Sequence, residues 1–232
     1  MGYRLIIIPS GGNYDLSALK QQRFTFHHYR RDIMRYAIIG AGQIGQALAH
    51  AFARKNIDVA VASTRPPEAI APLAKSIGPT IAPRSLKDAL EADIVFLAVP
   101  FWSHRDVAKA VGSWSGKIVV DVTNAYGVPL EQLDGQPSSA VIARALPGAR
   151  LVKGFNHLPA GVLAEDPSIK GGRRVVFLSS DDDAAIAPVA ALAEQLGYAP
   201  VDLGRLDEGG ALVQARGNRW TQLIFQDLIK FD

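Results

Sequence analysis

The glycines of Gly40-Ala41-Gly42-Gln43-Ile44-Gly45 have a spacing that can serve three tasks at once. The first lets the chain reverse sharply, the second lets backbone approach a diphosphate, and the third lets a helix pack close to a strand. An apolar run, Tyr36 to Ile39, precedes them, and Ile44, Leu48, Ala49 and Phe52 follow at helical spacing. The stretch therefore predicts strand, tight turn and helix, with unsatisfied amides and the positive end of the helix dipole aimed at an anion. A dinucleotide is the expected ligand. Beyond the next apolar run, where an NAD site usually carries an acid for the ribose hydroxyl, the chain reads Ala62-Ser63-Thr64-Arg65-Pro66-Pro67. Two hydroxyls and a guanidinium suit the 2′-phosphate of NADP(H).

Those residues need a frame. Strands are expected at Asp58–Ser63, Thr80–Pro83, Asp93–Pro100, Lys117–Asn124 and Ala149–Phe155, and the run Asp93–Pro100 is apolar enough for a strand buried on both faces. Helices are expected at Glu68–Ser76, after Ser85, and at Ser139–Leu146. Six strands alternating with helices predict an α/β, doubly wound parallel Rossmann sheet, because parallel strands require crossovers. The tail adds "RRVVFLSS", a helix near Asp183–Leu196, "APVDL" and an apolar helical stretch with Trp220, Leu223, Ile224, Leu228 and Phe231 on one side. The expected domains are an N-terminal extension over 1–33, a dinucleotide-binding domain over 34–157 and a small C-terminal α/β lobe over 158–232, on the acceptor side and suited to dimerisation.

Composition narrows the function. Of 25 basic and 22 acidic residues, residues 1–33 hold five and two, so the remainder carries 20 of each and no net charge. A neutral body argues against nucleic acid, whose phosphates call for clustered Lys and Arg. Without cysteine there is no disulfide frame, thiol nucleophile or Cys-ligated metal, and a cytoplasmic enzyme with no metal is expected. No apolar run reaches the roughly 20 residues that span a bilayer, so no membrane partner is expected. Met34, two residues before the first strand, is the expected initiator, the alternative being a real basic arm over 1–33 that meets a membrane surface or a partner.

The stretches "MRYAIIGAGQIG", "ASTR", "DIVFLAVPFW", "KIVVDVTNA" and "LVKGFNHLPAGVL" resemble the NADPH-dependent coenzyme F-420 reductases, also called F-420-dependent NADP oxidoreductases. The oxidoreductase domain of six-transmembrane metalloreductases is similar in the same places. The resemblance implies pyrophosphate contacts from Ala41 to Ile44 between Gly40 and Gly45, and 2′-phosphate contacts from Ser63, Thr64 and Arg65. It also implies that Ala98, Val99 and Pro100 lie beside the cofactor, with Asn124 and Phe155 to Leu158, Asn156 among them, at the nicotinamide end. The family often has consecutive Ser-Arg after the second strand, where this chain inserts Thr64.

The expected carboxyl ends of the strands supply Pro100, Phe101, Trp102 and His104, then Thr123 and Asn124, then Asn156 and His157. Aromatics and amides suit hydride transfer between stacked rings, which depends on positioning, better than chemistry needing a poised proton donor. Phe101 and Trp102 are expected either to wall a flat ring or to pack in the core. His104 is a cofactor contact or a helix cap, and His157 is the candidate catalytic residue touching the acceptor. The expected function is hydride transfer between NADP(H) and a deazaflavin F-420, a flavin or another small redox acceptor, in a possible homodimer. A carbonyl or imine reductase and a nonenzymatic NADP sensor are the alternatives.

Overall fold

The structure, a computed structural model, describes residues 34–215, residue 225 and residues 227–231. Its frame is set by six strands: β1 (Tyr36–Ile39), β2 (Val59–Ala62), β3 (Ile81–Pro83), β4 (Ile94–Leu97), β5 (Ile118–Asp121) and β6 (Arg150–Gly154). Each pairs in parallel, in the order β6-β5-β4-β1-β2-β3. The chain winds one way from β1 to β3 and the other from β4 to β6. The switch falls between β1 and β4, where ligands of such sheets gather beyond the carboxyl ends.

Alternation along the strands gives the sheet two dry faces. Ile38, Phe96, Val120 and Val152 pack on one side against α1 (Gln43–Arg54), α2 (Pro67–Ile77) and α7 (Asp183–Gln195). Ala37, Ile39, Val95, Leu97, Val119 and Leu151 pack on the other, with α3 (Leu86–Ala89), α4 (His104–Ala108) and α5 (Ser138–Ala145). Every residue of β4 is buried, and each large apolar side chain so removed from water contributes about 1.5–3 kcal/mol.

Beyond β6 the sequence expectation needs refinement. A five-residue helix, α6 (Ala160–Ala164), and a short strand, β7 (Ser168–Ile169), lead into β8 (Gly172–Ser179), which pairs antiparallel with β6. Then β9 (Ala199–Asp202) runs parallel to β8, followed by α8 (Gly209–Val213) and β10 (Ile229–Lys230), which pairs antiparallel with β8. The segment from 158 thus extends the sheet.

Leu228 and Phe231 flank β10 instead of lying on the helix expected for the chain end. Trp220, Leu223 and Ile224 lie outside the described residues, as does the extension over 1–33. Asp182, one residue before the helix expected near Asp183–Leu196, caps α7 by accepting from the Ala184 N–H at 3.0 Å. Ser85 caps α3 in the same way, accepting from the Asp88 N–H at 3.1 Å. Among the described residues no helix is long and apolar enough to cross a membrane.

Candidate active-site cleft

The three glycines have three different surroundings. A Cβ on Gly40, whose φ is +122°, would lie 2.0 Å from the Ala98 carbonyl oxygen, and one on Gly45 would lie 1.8 Å from the Gly40 carbonyl oxygen. Both positions are closed to any side chain, because the contact is backbone on both sides. A Cβ on Gly42 would meet nothing within 4 Å. That space lies at the start of α1, which has no acidic residue in its first turn and no side-chain cap. The N–H groups of Gln43, Ile44 and Gly45 therefore have no acceptor within the helix, and an anion would find both donors and a favourable dipole there.

Two cavities meet at this point. One, of about 510 Å³, is lined by Gly40–Gly42, Ser63–Arg65, Ala98–Pro100, Leu86, Ser103 and, on α4, Asp106 and Val107. The other, of about 320 Å³, is lined by Gly42–Ile44, Ala98–Pro100, Val122–Asn124 and Tyr126. Gly42, Ala98, Val99 and Pro100 border both, so the cavities form a continuous cleft across the switch point.

At the first end, Ser63 Oγ accepts from the Arg65 N–H at 3.1 Å, which fixes the turn that presents Thr64 and Arg65 to solvent. The carboxylate in that lining, Asp106, lies 3.6 Å from Lys109 Nζ. The sequence reading missed Ser103, Asp106 and Val107, although their spacing of three and one puts them on one face of a helix.

At the other end the amides divide their roles. Asn124 lines the cleft, while buried Asn156 stands behind it, donating from Nδ2 to Asn124 Oδ1 at 3.1 Å and to the Val213 carbonyl at 3.0 Å. Asn124 Nδ2 donates to the Asn156 carbonyl at 2.8 Å. The expected direct contact from the Asn156 side chain is thus replaced by a supporting one. Tyr126, 46% exposed, adds an aromatic wall that the sequence reading did not name.

The histidines are elsewhere. His104 is buried and its Nδ1 bonds the Phe101 carbonyl; burial holds its pKa below the ordinary value. It does not line the cleft. Phe101 and Trp102 pack edge to face at 4.7 Å, with the Arg105 guanidinium 4.0 Å above the Trp102 ring, and they too belong to the packing.

His157 has 0% exposure, its Nε2 lies 3.3 Å from the Val175 carbonyl, and its ring packs 4.8 Å from Phe177. It faces β8 and lines neither cavity of the cleft, away from the place expected for a catalytic residue. Burial, reinforced by the positive charge of Arg174, pushes its pKa down to about 4.

This buried imidazole carries a prediction. The unfolded chain takes up the proton near pH 6.5, the folded one only near 4, so stability present above pH 6.5 is lost as pH falls through 4. The full difference is about 3 kcal/mol. Urea unfolding at stepped pH should show that loss in the unaltered protein and a flatter profile in His157→Leu, whose turnover persists.

The family described as coenzyme F420-dependent NADP oxidoreductases matches residues 35–125, the segment that carries the glycines, Ser63–Arg65 and Asn124. A hypothetical protein of Sinorhizobium meliloti, SMa0349, is 40% identical over 88% of this chain and 98% of its own, with a TM-score of 0.78. A protein from Arthrobacter sp. FB24, assigned as an F420-dependent NADP reductase, is 29% identical over 77% of this chain and 89% of its own, with a TM-score of 0.64. Residues 35–125 carry the F420-dependent NADP oxidoreductase domain.

NADP-dependent reductases stand among its relatives. The rat metalloreductase STEAP3 is 28% identical over 179 residues, 76% of this chain, and the chain spans about a third of that relative's length. The segment matched by the family, 35–125, holds the glycine turn, Ser63–Arg65, Ala98–Pro100 and Asn124.

Proposed function

We propose that this chain binds NADP(H) extended along the cleft and moves a hydride between it and a planar redox acceptor, a deazaflavin of the F420 type or a flavin. The observation that carries the reading is the continuity of the cleft, with an arginine and two hydroxyls at one end, bare helix amides in the middle and Thr123, Asn124 and Tyr126 at the other. In this assignment Ser63, Thr64 and Arg65 take the 2′-phosphate, and the amides from Ala41 to Ile44 take the diphosphate. Ala98, Val99 and Pro100 form a dry shoulder that excludes water. The nicotinamide supplies the hydride when bound.

His104 and His157 are both withdrawn from the cleft, so the protein's own contribution is to hold two rings in register. The names of the relatives support the choice of acceptor, and the metalloreductase likeness adds ferric chelates to the candidates. Exposed Leu212 and Phe231 on the C-terminal extension support a homodimer, and the reading places the protein in the cytoplasm. A second reading, reduction of a small carbonyl or imine, draws on Tyr126, whose phenol at the ring end is a group able to deliver a proton.

The test is NADPH oxidation by the purified protein with F420, riboflavin, FMN, FAD, ferric chelates, aldehydes and imines offered in parallel. Turnover with the flat heteroaromatics supports the first reading, and turnover confined to carbonyls or imines replaces it with the second. In the same assay NADPH should be preferred to NADH, and Arg65→Ala should narrow that preference at least about tenfold, the worth of one charge-assisted contact. Equal use of NADH by the unaltered protein would defeat the Ser63-Thr64-Arg65 assignment.

A further inference from the structure

Two fully buried charges stand behind the ring end of the cleft. Asp121 and Lys153 face each other across β5 and β6, both side chains at 0% exposure, with Nζ 3.0 Å from Oδ2. They close on one residue from two sides. Asp121 Oδ1 accepts from the Thr123 N–H at 2.9 Å, and Lys153 Nζ donates to the Thr123 carbonyl. Ser139 Oγ donates to Asp121 Oδ2 at 3.0 Å and completes the carboxylate's shell.

Thr123 therefore has both main-chain groups gripped by charged side chains, while its hydroxyl is buried with no hydrogen-bond partner among the described residues. Buried polar atoms are nearly always paired, so an orphan on a cleft wall marks a place for a ligand's polar group. Asn124, its neighbour, is already committed, with Nδ2 given to the Asn156 carbonyl and Oδ1 taken by Ala215 N–H and Asn156 Nδ2. Buried ion pairs are seldom more stabilising than the apolar residues that could replace them. What apolar residues could not supply here is the grip on the peptide.

We infer that the Thr123 hydroxyl binds the carboxamide of the nicotinamide, and that Asp121 and Lys153 are its positioning pair. A carboxamide offers both a carbonyl and an amine, and a hydroxyl can donate to one or accept from the other. The bond fixes the rotation of the ring, and with it the carbon that faces the acceptor. The inference rests on the NADP(H) reading above and fails separately from it.

The experiment compares the unaltered protein with Thr123→Val, Thr123→Ser and the uncharged double variant Asp121→Asn/Lys153→Met. Calorimetry gives the affinity for NADPH and for 2′,5′-ADP, which fills only the adenosine end, and the parallel assay gives kcat. Thr123→Val should weaken NADPH about fivefold to tenfold, the worth of one hydrogen bond, and lower kcat further, with 2′,5′-ADP unaffected. Thr123→Ser should restore both, which lost packing would not explain. The double variant should follow Thr123→Val; should it not fold, the valine and serine variants decide alone. An unaltered protein that ignores both nucleotides defeats the NADP(H) reading itself. One that binds and oxidises NADPH while Thr123→Val does so equally well overturns only the present inference.

Discussion

The Gly42→Ala variant is expected to fold as the unaltered protein does and to bind NADPH about a hundredfold more weakly, the loss of two charge-assisted hydrogen bonds to a diphosphate. Its backbone permits the change, since φ is −78° and ψ −172°, an extended conformation open to any residue. The added methyl meets no protein atom within 4 Å. Its cost is that of a poorer helix cap, offset by the lower entropy of the unfolded chain, so the net effect on stability stays within about 1 kcal/mol. The methyl does occupy the space through which a phosphate would reach the α1 amides. Gly45→Ala makes the contrast, because its methyl would sit 1.8 Å from the Gly40 carbonyl oxygen and must drive α1 away from β1. Overpacking of backbone on backbone should cost about 3 kcal/mol or more. Thermal melts and calorimetric titration with NADPH, run side by side, separate the two. Undiminished NADPH affinity in Gly42→Ala would mean that no diphosphate lies at the head of α1.

The parts of this site that were legible in the sequence are those whose roles are decided within a few residues. Gly40 and Gly42 sit in one turn, and Ser63, Thr64 and Arg65 follow directly on β2, so spacing alone brings them to the cleft, while Gly45 packs α1 against that turn. The rest depends on partners distant in the chain. Lys153 sits inside an apolar run, and only its register with Asp121, thirty-two positions earlier, turns it from an interruption into a buried pair. His157 was misplaced because Phe155 adopts φ +61°, a turn that the sequence does not announce and that redirects the chain after β6 towards β8. The antiparallel direction of β8 was hidden for a related reason. "RRVVFLSS" is apolar enough for a strand of either sense, and its direction shows only in its pairing with β6.

The buried pair carries the second large effect. In Lys153→Met the ammonium disappears and Asp121 is left at 0% exposure with only the Thr123 N–H and the Ser139 hydroxyl as donors. Breaking a buried pair from one side costs roughly 3–5 kcal/mol, a fifth or more of the roughly 5–15 kcal/mol that holds a typical domain together. Burial already holds the Lys153 pKa below its usual value, with Asp121 pulling the other way, so the pair is one in which desolvation opposes attraction closely. Removing both charges removes both terms. Asp121→Leu/Lys153→Met should therefore recover most of the stability lost by the single variant, or exceed the unaltered protein, while Thr123 loses its grip on both main-chain groups. Urea midpoints for the two variants, set beside kcat for the double one, distinguish the possibilities. Recovered stability with kcat still depressed is the result expected of a pair that positions the cleft wall. Recovered stability with full kcat would make Asp121 and Lys153 an element of the core alone.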